Sequence, residues 1–350
     1  MSINAFGERL AIREDLNGPA WHNLGGFNGE QTACETMDKF VDGIPTFEKQ
    51  ETYVLQDGVY VPTEDYVIVR SATKDDPKTR FIGNCTSIYN IVQPYDIGNA
   101  FDEKVNRPIE TLGFLAGGKK MFISWELPRC QVEVRRDDFV NLYGSILAGF
   151  DAKVSIALGI LVFRPVCENT FDMAVRELKN GEQSVDGGKG RAWVGHHTSK
   201  NILRDLRAWM GYVETNAERQ VAMMESWFNR LVSTPVDSKN VLRSLIDQIY
   251  PMPNEVPQYY PDELRGEKQE KVDALIEKTA TDRTEIEKLF FGGDKTTLGE
   301  NAWDLFNNVT YYENHVRESK KDKNYSIVFG NRSRQMNDAL SILVDYSLQK

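Results

Sequence analysis

The N-terminal half of the chain alternates apolar and polar residues in the manner of β-strands. Residues 53–61 read YVLQDGVYV, with Asp57-Gly58 between two apolar runs, which is a strong signal for a β-hairpin. Residues 66–72 and 80–92 also read as strands. This region therefore begins as an antiparallel sheet.

The pattern continues through the next eighty residues. A helix is predicted from Asp96 to Val105, and Gly117-Gly118 separates two further strand-like stretches. Residues 153–166 form a continuous apolar run rich in β-branched side chains, which predicts a buried strand. Residues 168–181 predict a compact helix, with Asn169 or Thr170 as its N-cap.

After Gly190 the apolar spacing changes to threes and fours, which is typical of amphipathic helices. Residues 199–232 predict one long helix or two in line. Later helices are predicted at 235–250, 265–290, 299–318 and 332–348.

These patterns predict an α+β protein, with a β-rich N-terminal half that carries a packed helix and an α-helical C-terminal half. We expect a sheet-containing core domain over 1–190 and a mostly helical region over 191–350. Residues 251–261 hold four prolines and predict a linker or extended loop within the helical region.

Composition narrows the class of protein. The chain is 41% hydrophobic, which is ample for a packed core, and its four cysteines form no C-x-x-C pair. No apolar run approaches the roughly 18 residues that span a bilayer, and we identify no signal peptide. We expect a soluble, intracellular globular protein that makes no membrane contact.

The formal net charge of −10 argues against a protein that coats duplex DNA by bulk attraction. It is compatible with a local basic groove on an acidic body. The positions of the basic clusters therefore decide between these possibilities.

One glycine-rich stretch resembles a phosphate-binding loop. Residues 113–120 nearly match G-x-x-x-x-G-K-[ST], but Lys120 stands where a hydroxyl should hold magnesium. The residues that follow predict a strand, whereas the loop requires a helix. A β-turn that carries Lys119 and Lys120 is the favoured interpretation.

Metal and nucleophile sites are not indicated. Adjacent His196 and His197 point in different directions on any regular element, so they rarely ligate one metal. Cys167 is a candidate nucleophile, although a buried structural cysteine is the commoner case. We predict no metal, no cofactor and no enzymatic activity, with a nuclease left open.

The most informative cluster lies at residues 186–209. This segment contains five Lys or Arg residues and two Asp residues, together with two tryptophans and two histidines. Cations neutralise phosphates and aromatic faces stack on bases, so the composition suits single-stranded nucleic acid. The predicted contact residues are Lys189, Arg191, Trp193, Lys200 and Arg204, and Lys119 and Lys120 would extend the surface. The alternative is an ordinary solvated helix start.

Four segments resemble one known family. They are AWHNLGG (20–26), FRPVCENTF (163–171), VGHHTSK (194–200) and TTLGENAWDLFNNVTYYENHV (296–316). In this order they resemble the phage/plasmid-like proteins, a bacterial and phage family defined by a domain of unknown function (DUF932). Pro165 departs from the valine that is usual in the second segment.

The resemblance implies a setting in phage or plasmid genomes near replication and recombination genes. That family is linked by remote similarity to single-strand annealing proteins of the Rad-fifty-two type, which form rings or filaments and hold DNA without hydrolysing ATP. Arg164, Asn169 and His197 fall on family motif positions. Their role is either functional or a structural tie at a strand–helix corner.

Two functions from different classes follow. The leading hypothesis is a non-enzymatic protein that binds and anneals single-stranded DNA in recombination, independently of ATP and as a homo-oligomeric ring or filament. The alternative is a phage-encoded interaction or structural protein that acts on protein partners without touching DNA.

The departure at Lys120 leads to the first testable prediction. We expect no magnesium-dependent ATP turnover above background, measured as phosphate release from the purified protein. Turnover that disappears when Lys119→Ala is introduced would contradict this prediction.

Overall fold

The structure is a computed structural model that describes residues 9–13, 26–27, 29–40, 43–74, 76–136, 138–164, 169–172, 193–195, 197–254, 262–292, 299–318, 326–327 and 331–350. An eight-stranded sheet, a three-stranded sheet and a set of packed helices make up these residues. The α+β class, with strands first and helices afterwards, is confirmed.

The strands of the large sheet are β1 (Arg9–Arg13), β2 (Gly26–Phe27), β6 (Thr111–Leu115), β7 (Lys120–Arg135), β8 (Asp138–Gly149), β9 (Ile156–Arg164), β10 (Asn169–Asp172) and β11 (Trp193–Gly195). Their order in the sheet is β10-β9-β8-β7-β6-β1-β2, with β11 paired to β9 as well. The pairs are antiparallel except for β1 with β2.

The predicted glycine turn joins β6 to β7. Ala116, Gly117 and Gly118 all have positive φ, and Lys120 opens β7. A strand therefore follows the glycines, as the sequence predicted. A phosphate-binding loop requires a helix at this position, so this turn is not such a loop.

The small sheet runs β3 (Phe47–Gln56), β4 (Val59–Arg70) and β5 (Arg80–Cys85), all antiparallel. Asp57 and Gly58 have φ of 50° and 81° and form the tight turn between β3 and β4. The predicted hairpin is confirmed. The third strand, however, ends at Cys85, where the sequence predicted one continuing to residue 92.

The helices are α1 (Ala33–Lys39), α2 (Pro94–Lys104), α3 (Ile202–Ser233), α4 (Lys239–Ile249), α5 (Asp262–Gly292), α6 (Ala302–Tyr311) and α7 (Asn331–Leu348), and a π-helix follows α6 at Tyr312–Val316. The predicted long helix is thus the single helix α3. Its buried stripe from Ile202 to Leu231 keeps the spacing of threes and fours.

The helix predicted over 168–181 is wrong at its start. Residues 169–172 form β10, in which Asn169 lies opposite Arg164 and Asp172 opposite Leu161 on β9. Pairing with a buried strand satisfies these backbone groups, and Asn169 and Thr170 are therefore not helix caps. Residues 173–181 lie outside the described residues.

Helix α3 crosses the large sheet at β7 and is fixed there by Trp125. The Trp125 ring is fully buried, and its Nε1 donates to Glu214 Oε1 of α3 at 2.7 Å. Phe101 of α2 meets the same ring edge-on, with centroids 5.2 Å apart. The opposite wall is Gly144 of β8, which leaves no room for a side chain.

One cluster of buried apolar side chains continues from α1 to α7, through both the sheet and the helices. None of the described helices is long and apolar enough to cross a membrane.

The contact between Gly144 and Trp125 gives the second prediction. A Cβ on Gly144 would come within 2.2 Å of the buried indole, so Gly144→Ala should destabilise the fold by about 1–3 kcal/mol through overpacking. Urea unfolding followed by tryptophan fluorescence measures this.

Gly211→Ala in α3 is the matched control. A Cβ there meets nothing within 4 Å, and alanine favours a helix by about 1 kcal/mol over glycine. Equal midpoints for the parent and the Gly144 variant would contradict the proposed packing.

Candidate nucleic-acid interface

The structure describes part of the basic segment 186–209. β11 pairs with β9, with Trp193 opposite Leu158, and the chain then passes His197 and Lys200 to enter α3. Lys189 and Arg191 lie outside the described residues, as does the side chain of Trp193. The contact surface can therefore be built from residue 197 onward.

Lys200 and Arg204 lie at the N-terminal end of α3. Lys200 is exposed, and the Arg204 side chain is 74% exposed, with Asp205 Oδ1 3.2 Å from its Nη2. Asn201, the N-cap, makes no side-chain capping hydrogen bond. First-turn N–H groups and the helix dipole favour an anion at such an end, and the two cations add to that attraction.

Two aromatic side chains continue this surface along α3. Trp209 and Tyr212 meet edge-on with centroids 5.2 Å apart, and Tyr212 is 40% exposed. Arg204 and Tyr212 are eight residues apart, so they lie on one helix face. We call Lys200, Arg204, Trp209 and Tyr212 the α3 edge.

Sequence reasoning counted Trp209 only as part of the cluster and missed Tyr212. The helical repeat would have identified Tyr212, because it lies eight residues after Arg204, and Ala208 lies midway between them on the same side of the helix. It lies three residues beyond the end of the basic segment.

One cation of the basic segment, Arg207, is engaged in an ion pair within the protein. Arg207 Nε donates to Glu103 Oε2 of α2 at 2.7 Å, which ties α3 to α2. Its charge is therefore partly balanced within the protein, as that of Arg204 is by Asp205, and the segment 186–209 is less basic than the sequence count implied.

Lys120 is not part of any exposed surface. Its ammonium is buried and forms an ion pair with Asp151, in the loop after β8. Burial lowers the pKa of Lys120, and the Asp151 carboxylate offsets part of that shift. The prediction that Lys120 extends the nucleic-acid surface is wrong, because β7 begins at this residue and turns its side chain inward. Lys119 is half-buried in the turn.

His197 is a buried tie between two loops. Its Nδ1 lies 2.9 Å from the Asn90 carbonyl oxygen, and its own carbonyl accepts from Asn90 N–H at 2.8 Å. The ring stacks on Tyr89 with centroids 4.7 Å apart. These contacts give His197 a structural role.

Arg164 and Asn169, the other two motif residues, lie opposite each other on β9 and β10. Their side chains lie outside the described residues, as do Cys167 and His196. Within the described part of the chain, no three His, Cys, Asp or Glu side chains are grouped so that they could hold a metal ion.

The comparison with protein families gives one match. The model of a family described as a domain of unknown function (DUF932) matches residues 82–340, about three quarters of the chain. No curated protein and no solved structure is significantly similar to this chain.

The burial of His197 gives the third prediction. Burial lowers the pKa of His197 below its ordinary value of 6.5, and the backbone carbonyls of Asn90 and Gly149 offset only part of the shift. The folded protein then binds fewer protons than the unfolded chain between the lowered pKa and about 6.5. Stability should fall as the pH is lowered through that range.

Chemical unfolding at pH 7.5 and at pH 5.5 measures this effect. The dependence on pH should shrink in His197→Gln and persist in His315→Gln, because His315 is exposed. An unchanged dependence in the His197 variant would show that other groups cause it.

Proposed function

The chain belongs to the DUF932 family, whose function is unknown. From the surface of this protein, we propose that it binds and anneals single-stranded DNA without ATP hydrolysis. The observation that carries the proposal is the α3 edge. There, two cations at a helix N-terminus precede exposed Tyr212 and half-buried Trp209 on the same helix, in a chain whose net charge is −10.

Each part of the α3 edge has a place in this mechanism. Lys200, Arg204 and the first-turn N–H groups hold phosphates, which fixes the register of the strand without reading its sequence. Tyr212 and the exposed part of Trp209 offer ring surface to bases, a contact that every base tolerates. Bases that are not stacked on the protein remain open to a complementary strand.

The negative charge elsewhere confines the strand to this edge, because phosphates are repelled by the rest of the surface. Lys189, Arg191 and Trp193 precede the edge in the chain and extend the proposed contact. We further propose self-association into a ring or filament, since annealing requires many bases of one strand to be presented together. The setting would be phage or plasmid recombination in the bacterial cytoplasm.

The second candidate is an interaction protein that acts on protein partners without DNA. One observation favours it, namely the exposed apolar hairpin formed by the ends of β3 and β4. Nuclease activity is a third possibility, and incubation of labelled oligonucleotide with magnesium or manganese tests it directly.

The fourth prediction concerns salt dependence. The change is the quadruple variant Lys189→Ala, Arg191→Ala, Lys200→Ala and Arg204→Ala. Binding of a fluorescent oligonucleotide should weaken by orders of magnitude at low salt. The log–log salt slope should flatten by about 0.7 for each phosphate contact that is lost. The melting transition should change little, because exposed charges contribute little stability.

A matched control removes four exposed cations elsewhere, on α4 and α5, at Lys239, Arg243, Lys271 and Lys288. It alters the net charge equally at a different place. Lys239 and Arg243 pair with Glu287, and Lys288 pairs with Glu285, but loss of such exposed ion pairs costs little stability. If both variants bind as the parent does, the contact lies elsewhere. If the parent shows no binding at low salt, the interaction-protein function replaces the proposal.

A further inference from the structure

The hairpin of β3 and β4 extends beyond the small sheet. β5 pairs with β4 only at residues 66–70, so residues 51–65 form a two-stranded ribbon that has no third strand among the described residues. We call these residues the arm. Nearly all of its side chains are exposed, and Tyr53, Val54, Leu55, Val59, Tyr60 and Val61 range from 38% to 73% exposed.

The arm is apolar on both faces. Tyr53 lies opposite Pro62 and Leu55 opposite Tyr60, so these four share one face. The other face carries three valines: Val54 opposite Val61, and Val59 opposite Gln56. An isolated two-stranded hairpin is only marginally stable in water, and a contiguous exposed apolar patch of this kind marks an interaction site.

Charge identifies the class of partner. The arm carries four carboxylates and no Lys or Arg: Glu51, Asp57, Glu64 and Asp65. These charges repel nucleic acid and anionic lipid surfaces, so the arm is not a second DNA contact. The partner is a protein surface with apolar side chains and a compensating cation.

Among the described residues, the outer edge of β3 is open beyond Phe47, whose N–H and carbonyl are hydrogen-bonded to the Gln93 side chain. β3 pairs with β4 alone, and the side chains from Glu48 to Gln56 are exposed, apart from half-buried Thr52. On the other outer strand, one face of β5 is covered, because a Cβ on Gly83 would meet the backbone of Asp151. A long, exposed, apolar edge strand is a template for another strand.

We propose that the arm pairs with the arm of a second copy of this chain, β3 against β3, antiparallel across a two-fold axis. This inference rests on the self-association within the proposed function, and it does not depend on DNA binding. The two small sheets would then join into one six-stranded sheet, and each arm would gain a neighbour along its open edge.

One oppositely charged pair supports this antiparallel arrangement, and Glu48 and Glu51 of β3 fall opposite uncharged Gly58 and Leu55 of the second copy. Lys49 lies at the root of the arm and Asp57 at its tip. With the axis at Tyr53, each Lys49 lies opposite the partner's Asp57, and the two Tyr53 side chains meet. Lys49 Nζ donates to the carbonyls of Ser87 and Tyr89, at 2.6 and 3.3 Å, which leaves a third donor for the partner.

The fifth prediction is tested by mass, without DNA. Light scattering at micromolar concentration should give two chains, or a larger even number, for the parent. The double variant Leu55→Asp and Tyr60→Asp should have at most half that mass. The control Leu275→Asp and Leu348→Asp changes two leucines that are comparably exposed elsewhere, and it should keep the parent mass.

Cysteine substitution tests the pairing edge. Tyr53→Cys should form a disulfide-linked dimer under mild oxidation, because the two residues meet at the axis. Tyr60→Cys lies on the inner strand, where the two copies are separated by more than the roughly 7 Å between Cα atoms that a disulfide tolerates. It should remain unlinked.

A monomeric parent, or an arm variant with the parent mass, would overturn the arm pairing. So would linkage through residue 60 in place of residue 53. These outcomes are separate from the oligonucleotide test. A dimer that binds no DNA removes the proposed DNA binding and leaves the arm pairing. A monomer that binds DNA removes the arm pairing together with the proposed ring or filament, and leaves the DNA binding.

Discussion

The packing of α3 across β7, centred on Trp125, is the constraint on which the rest of the structure depends. The indole is enclosed by Phe101 of α2 and the bare backbone of Gly144, and its N–H donates to Glu214. Glu214 also accepts from Arg107 at 2.7 Å. A buried indole N–H without a partner is costly, so this contact fixes the helix in both position and rotation. That rotation decides which side chains of α3 form the exposed edge.

The C-terminal helices are attached to the same sheet through α6. Every residue from Ala302 to Thr310 is buried. Trp303 Nε1 donates to Asp138 at 3.1 Å, and Asp304 pairs with Arg135 at 2.9 Å, both at the β7–β8 turn. Breaking a buried ion pair by removing one partner is strongly destabilising, so this joint between helix and sheet tolerates little change.

The described motif residues and the two exposed candidate surfaces have different parts in this structure. His197 and the buried helix α6 belong to motif segments, and both hold elements of the fold together. The arm lies outside the motif segments, and the α3 edge shares Lys200 alone with them. One is cationic with aromatic rings, and the other is acidic and apolar. Opposite charge suits them to different partners, namely a phosphate backbone and a second protein chain.

The sequence by itself determined the elements whose signals are local. The Asp57-Gly58 hairpin, the glycine turn before β7 and the amphipathic stripe of α3 follow from turn chemistry and periodicity, and each is present as predicted. The class of the fold follows from their order.

Tertiary structure alone decided the rest, because burial and strand pairing depend on residues distant in sequence. Lys120 looked like an exposed cation, but its partner Asp151 lies thirty-one residues away and holds it inside the protein. Residues 169–172 read as a helix start, yet the edge of β9 made them a strand. Tyr212 joined the candidate site because the rotation of α3 left it exposed, a choice set by the buried contact between Trp125 and Glu214.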